Sequence, residues 1–118
     1  MTQTQALALT LAIEVPVALA WLLAAGWLAR RAWWRAALVV IAASLITHPL
    51  AWQANRVWLR SWSFWPRATV IEVGVALVEA LVLAWGLTLP PRRALVIAAA
   101  MNAASFGGGL LWFYLGRG

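Results

Sequence analysis

Glu14, Glu72 and Glu79 are the whole acidic complement of this chain, and each stands inside a run of apolar residues. Glu72 and Glu79 lie seven apart in the stretch Ala68 to Trp85, which at 3.6 residues per turn puts both on one face of a helix, about 10 Å apart along its axis. The single histidine, His48, immediately precedes Pro49, and Glu14 stands two residues before Pro16. Carboxyls and an imidazole in such surroundings are the groups that hold a proton, hand it on or ligate a cation. Neutral polar residues accompany them at helical spacing. Thr10 is four residues before Glu14, Ser44 is four before His48 on a face that continues through Trp52 and Asn55, and Asn102 and Ser105 share a narrow face with Gly109. Both prolines lack an amide proton, so Pro16 frees the carbonyl of Ala12 and Pro49 that of Leu45. The ion or proton site expected here is Glu14, His48, Glu72 and Glu79, with Thr10, Ser44, Asn102 and Ser105 in support.

Other chemistries fit less well. Two glutamates and a histidine suit a hard or borderline divalent cation, but no local ligand motif such as paired histidines at i, i+4 is present, so no metal is assigned. Ser44 and His48 adjoin on one face, yet nothing positions an oxyanion hole for a hydrolase, and no catalytic residue is assigned. With no cysteine, thiolate sites and c-type haem attachment are excluded; with no lysine, so is a retinal-type Schiff base. One histidine cannot make a bis-histidine haem. No pattern names a cofactor.

The elements that must carry these residues follow from composition. At 65% hydrophobic and 10% charged, the chain lies far from soluble globular usage. Four apolar runs, about Ala6 to Ala29, Ala36 to Trp52, Ala68 to Thr88 and Ala94 to Tyr114, each approach the ~20 residues that cross a bilayer core as a helix. They lack the period-2 alternation of barrel strands. The expected fold is all-α, a single domain over residues 1–118 built as a bundle of four transmembrane helices. Val57 to Pro66, with three tryptophans and Arg60, is too short to span and reads as an interfacial segment between the second and third helices. Leu89-Pro90-Pro91-Arg92-Arg93 makes the last turn. The fourth run carries small residues at four-residue spacing, Ala99, Ala103 and Gly107, suited to close helix approach. The N-terminus has no basic n-region and the first run exceeds a cleaved signal peptide in length, so it is kept as the first helix.

The basic residues are nine arginines, all flanking the runs, for a net charge of +6. In this setting they read as orientation signals and headgroup contacts rather than a nucleic-acid surface. Arg30, Arg31, Arg35, Arg92 and Arg93 in the first and third loops outnumber Arg56, Arg60, Arg67 and Arg117. By that count the first and third loops are cytoplasmic and both termini outside. Counting 1.5 Å per residue from the ends of the runs puts Glu72 about 7 Å deep, His48 about 6 to 9 Å, Glu14 about 12 Å, Glu79 and Ser105 about 15 Å and Asn102 about 20 Å. An outer cluster of Glu14, His48 and Glu72 is therefore expected above a deeper one of Glu79, Ser105 and Asn102. Carboxyls facing lipid would cost at least about 2.5 kcal/mol each at the bilayer centre, so they should face inward.

Two resemblances attach to these residues. Glu14-Val15-Pro16, Thr47-His48-Pro49, the Glu72 and Glu79 pair and Asn102-x-x-Ser105 resemble the pattern of a widespread group of uncharacterised small four-helix bacterial membrane proteins. In that pattern His48 replaces a usual asparagine, and Ser44 stands where another is common; the resemblance implies the fold and supplies no activity. Length, four helices and the glutamate of Leu11-Ala12-Ile13-Glu14-Val15 are similar to the small multidrug resistance transporters, proton-coupled dimeric exporters of aromatic cations. That likeness covers the first helix alone; the family's aromatic residues in the second and third helices are missing, and Glu72 and Glu79 have no counterpart there.

The expected function is that of a small bacterial inner-membrane protein, not an enzyme, whose inward polar face binds or conducts a cation or proton. Its partners are the lipid bilayer and further copies of itself, because four helices enclose little volume. The alternative is a non-catalytic subunit of a larger membrane complex, the glutamates docking basic or polar partner residues, or His48 contacting a pigment.

Overall fold

The computed structural model describes residues 2–116; Arg117, counted above for orientation, lies outside them. Four helices, each long and apolar enough to cross a membrane, make up the chain: α1 (Gln3–Ala24), α2 (Trp33–Gln53), α3 (Phe64–Gly86) and α4 (Pro91–Leu115). Connections of a few residues force antiparallel neighbours. Each helix packs on the next in sequence, and α4 closes the ring against α1. The start of α1 and the end of α4 therefore lie at one end of the bundle, with the α1–α2 and α3–α4 loops at the other.

Helix boundaries differ from the apolar runs for local reasons. Helix α1 starts early because Thr2 caps it: the Thr2 hydroxyl accepts from the Gln5 amide while the Gln5 side chain accepts from the Thr2 amide. It stops at Ala24 because Gly26 turns left-handed (φ 73°) and the Trp27 amide closes on the Leu22 carbonyl. A 3₁₀ turn, Arg30–Ala32, leads into α2. Pro66 falls in the first turn of α3, where a missing amide proton costs nothing, and Pro91 occupies the first position of α4. The segment Val57 to Pro66 is not one surface-lying piece. Helix α2 continues into a π-helical turn, Ala54–Trp58, a short turn follows, and α3 is under way at Phe64.

Burial is confined to one half of the bundle. Ala18 and Leu22 of α1, Ala36, Val40 and Ala43 of α2, Leu83 of α3, and Ala94, Ile97, Ala98 and Met101 of α4 are fully enclosed, and Leu87 and Leu89 seal the α3–α4 turn above them. This is the half next to the two arginine-bearing loops. There Arg35 donates to the Gly86 carbonyl at 2.9 Å, a cation meeting the negative end of α3, and the Arg93 guanidinium lies 5.2 Å from the Trp27 ring centre. Gly86 has no side chain because Val39 of α2 fills the space where a Cβ would stand. In the half that carries the termini, residues 2–13, 48–78 and 103–116, no described residue is buried.

Candidate functional site

The four helices each send polar side chains to the level where the enclosed half ends. Glu14 comes from α1, Ser44 and Thr47 from α2, Glu79 from α3, Asn102 and Ser105 from α4. All but Ser105 are buried, and the two carboxyl residues are each 1% exposed. Periodicity explains the convergence. Glu14, Ala18 and Leu22 are one stripe of α1; Ser44 and Thr47 continue the Ala36, Val40, Ala43 stripe of α2; Glu79 and Leu83 share a face of α3; Asn102 follows Ala98 and Met101 on α4.

Their side chains form a ring around the bundle axis, joined by hydrogen bonds. Ser44 Oγ lies 2.9 Å from Glu14 Oε1 and 3.3 Å from Glu79 Oε2. Asn102 Nδ2 donates to Glu79 Oε1 at 2.6 Å and to the Ala98 carbonyl at 2.8 Å. Ser105 Oγ donates to Glu14 Oε2 at 2.6 Å; its single proton is then not available to the Asn102 carbonyl 3.3 Å away, so the bonds run Ser105–Glu14–Ser44–Glu79–Asn102 and the two ends of this run adjoin on α4. Thr47 Oγ1 stands between Glu79 Oε2, 3.3 Å away, and the Ala43 carbonyl, 3.1 Å away.

Counting protons shows what the ring requires. A hydroxyl has one proton to give and lone pairs to receive another. Ser44 can donate to one carboxyl and must accept from the other, so both of its contacts are hydrogen bonds only when at least one of the two acids carries a proton. Two arrangements satisfy the circuit. With the proton on Glu14, Glu14 donates to Ser44 and the ionised Glu79 accepts from Ser44, Thr47 and Asn102. With the proton on Glu79, the direction through Ser44 reverses and Thr47 turns to the Ala43 carbonyl. Passing between them needs only hydroxyl rotation and short proton hops. No arginine joins the ring. Among the described residues no carboxylate–arginine pair occurs, so charge in the ring is balanced by protons or by a bound cation, not by a basic side chain.

The remaining expected site residues lie elsewhere. Glu72 is half-buried, on the inward face of α3 toward the termini, within electrostatic reach of Glu14 and Glu79 but without a hydrogen bond among the described residues. A salt bridge from Glu72 to Arg56, Arg60 or Arg67 is not formed: the Arg67 guanidinium donates to the carbonyls of Arg60 and Trp62, and Arg56 stacks 4.7 Å from the Trp52 ring centre. His48 packs its ring against Trp52, with centroids 6.1 Å apart, and approaches the Gln3 backbone, leaving Nε2 buried without a partner. Thr10 is half-buried and takes no part in the ring. The depth grouping changes accordingly: Glu14 belongs with Glu79, Asn102 and Ser105, not with His48 and Glu72, because Ser44 and Ser105 tie its carboxyl to the deeper level. The ring's carbonyls are those of Ala43, Ala98 and Asn102, not the Ala12 and Leu45 carbonyls freed by proline. Among the described residues no three His, Asp or Glu side chains converge as a metal site would need.

Thr47 is the ring member that polar-residue spacing did not single out. The signal was present: it lies three residues after Ser44, and i, i+3 places the two side by side. Comparison with known proteins adds no assignment, since no family model, curated protein or solved structure matches the chain.

Proposed function

We propose that this chain is a small polytopic membrane protein whose Glu14–Ser44–Glu79 bridge binds a proton and hands it across the bundle axis in proton transport or proton-coupled transport. The observation that carries this reading is the single hydroxyl shared by two buried carboxyls, with no basic side chain beside them. A proton suits the ring better than a metal cation. Its oxygens stand at hydrogen-bond distances from their donors, so an ion would have to force the four helices apart.

The geometry also weighs against docking through the buried acids. Glu14 and Glu79 are turned inward and held by hydroxyls and an amide of the same chain, which leaves neither free for a partner's basic residue. All of the ring's hydrogen bonds are made within one chain, so it needs no second copy, although the lipid-facing surface leaves room for one. The arginine count favours the α1–α2 and α3–α4 loops in the cytoplasm of a bacterial inner membrane, with both termini outside.

The test is flux. Vesicles containing the purified protein should dissipate an imposed pH gradient faster than empty vesicles, and Glu79→Gln and Glu14→Gln should each abolish the difference. If the wild-type protein passes no protons and Glu79→Gln changes only what co-purifies with it, the chain is a subunit of a larger complex and the transport reading is lost.

A further inference from the structure

The distribution of burial along the bundle bears on which side of the membrane the ring can exchange with. Between the ring and the arginine-bearing loops the interior is Ala18, Leu22, Val40, Leu83, Ile97, Ala98 and Met101, all apolar and fully enclosed. From Glu79 to Gly86, where Arg35 supplies the next polar side chain on that path, is seven residues, or about 10 Å of helix. Water does not occupy a close-packed apolar layer that offers it no hydrogen-bond partners, and a proton has no chain of donors and acceptors to follow through it.

Toward the termini the interior is different. No described residue there is buried, and the inward face of α3 continues from Glu79 through half-exposed Ala76 to half-exposed Glu72. Glu72 has no hydrogen-bonded partner among the described residues and lies within electrostatic reach of both ring carboxyls, so no bond of the chain holds its carboxyl away from the ring. The titratable groups facing the ring are Glu14 on α1, His48 on α2 and Glu72 and Glu79 on α3. Helix α4 presents only Asn102 and Ser105 there. His48 packs against Trp52 and approaches the Gln3 backbone with its Nε2 unpartnered, and it takes no part in the ring; Glu72 is the acid on the same face of α3 as Glu79.

We propose that in this conformation the ring exchanges its proton only with the membrane face that carries the chain termini, through Glu72, while the packed apolar half closes it to the loop face. The inference rests on the proton-binding reading above. It makes the molecule a gated carrier whose transport step is a repacking of the Leu22, Val40, Leu83 and Ile97 layer.

The chain has no cysteine, so single-cysteine variants report access without background. In uniformly oriented vesicles, Ala76→Cys should react with a membrane-impermeant thiol reagent added on the termini face and not on the loop face. Ile97→Cys should react from neither. In parallel, the infrared band of protonated carboxyl groups should follow a pH step made on the termini face and ignore the same step on the loop face. Glu72→Gln should slow that response at least tenfold while leaving the band in place. Labelling of Ile97→Cys from the loop face, protection of Ala76→Cys from both faces, a band that follows loop-face pH, or an undiminished rate in Glu72→Gln would each overturn the one-sided route. A wild-type protein with no band sensitive to Glu79→Gln would instead overturn proton binding itself, and the labelling pattern would still decide access.

Discussion

The two halves of the bundle are built from the same four helices and a similar apolar composition, yet only one of them encloses side chains. In the half beside the loops, Leu22, Val40, Leu83, Ile97 and Met101 interlock, Gly86 lets α3 close on Val39, and Arg35 and Arg93 clasp the ends. In the other half the contacts lie at the rim: Phe106 stacks with Phe64 at 6.4 Å and meets Trp65 edge-on, while Arg56 of the π-helical turn and Trp52 and His48 of α2 form a column. The hydrogen-bonded ring marks the border. Its place there has a physical reason. Buried carboxyls need a full set of partners, which fixed helices supply, but a proton site also needs a way in, which a fully packed interior denies.

The largest expected effect separates the halves by packing. Leu83→Ala should cost about 1–3 kcal/mol, the cavity part of the penalty seen in soluble proteins, because lipid receives the leucine of a separated helix as well as the bundle core does. Leu50→Ala, at a side chain 53% exposed in the open half, should cost less than about 0.5 kcal/mol. Unfolding in mixed detergent followed by helical circular dichroism measures both; equal costs would erase the distinction between the halves.

Much of this architecture was legible in the chain. Hydropathy gave four spanning helices, and short loops gave their antiparallel order, because a backbone in lipid has almost no other solution. Glu79, Ser105 and Asn102 were grouped in one deeper cluster by counting residues, since rise per residue is nearly constant. Counting failed for Glu14 and His48. They were grouped together at about 12 Å and about 6 to 9 Å, but the Glu14 carboxyl took the partners deeper in the bundle, whereas the His48 ring turned to Trp52 and the end of α1. Which rotamer wins is decided by the neighbouring helices, and a sequence read one helix at a time does not contain that. The halving of the bundle was equally hidden: both halves read as apolar, and only the contacts tell enclosed leucine from lipid-facing leucine.

A smaller effect tests whether the ring acts as a unit. Asn102→Ala removes the donor 2.6 Å from Glu79 Oε1 and should cost about 1–2 kcal/mol, within the range for hydrogen bonds inside membrane bundles. In a Glu79→Leu background the same change should cost almost nothing, because the acceptor is gone. An unchanged penalty there would mean that Asn102 stabilises α4 through its bond to the Ala98 carbonyl and that the circuit around the axis carries little energy.

The smallest effect concerns how the closed half is fastened. Helices α1 and α3 both end at the loop face with the same hydrogen-bond pattern, the Trp27 amide on the Leu22 carbonyl and the Leu89 amide on the Ala84 carbonyl, each with a left-handed residue in between. In α1 that residue is Gly26; in α3 it is Thr88, with φ 55°. A β-branched side chain in this region crowds its own backbone at a cost of about 1–2 kcal/mol. Thr88 is exposed and forms none of the contacts that build the core, so Thr88→Gly should relieve the crowding and lose no packing. Part of the gain returns as the greater freedom of glycine in the unfolded chain, leaving a net stabilisation of about 0.5–1 kcal/mol in the same detergent unfolding assay. Proton flux should be unaltered, because the change tightens the fastening of the closed half without touching the layer that must repack. A destabilised Thr88→Gly protein would show that the threonine side chain holds the α3–α4 turn; a slowed flux would show that this turn moves in the transport step.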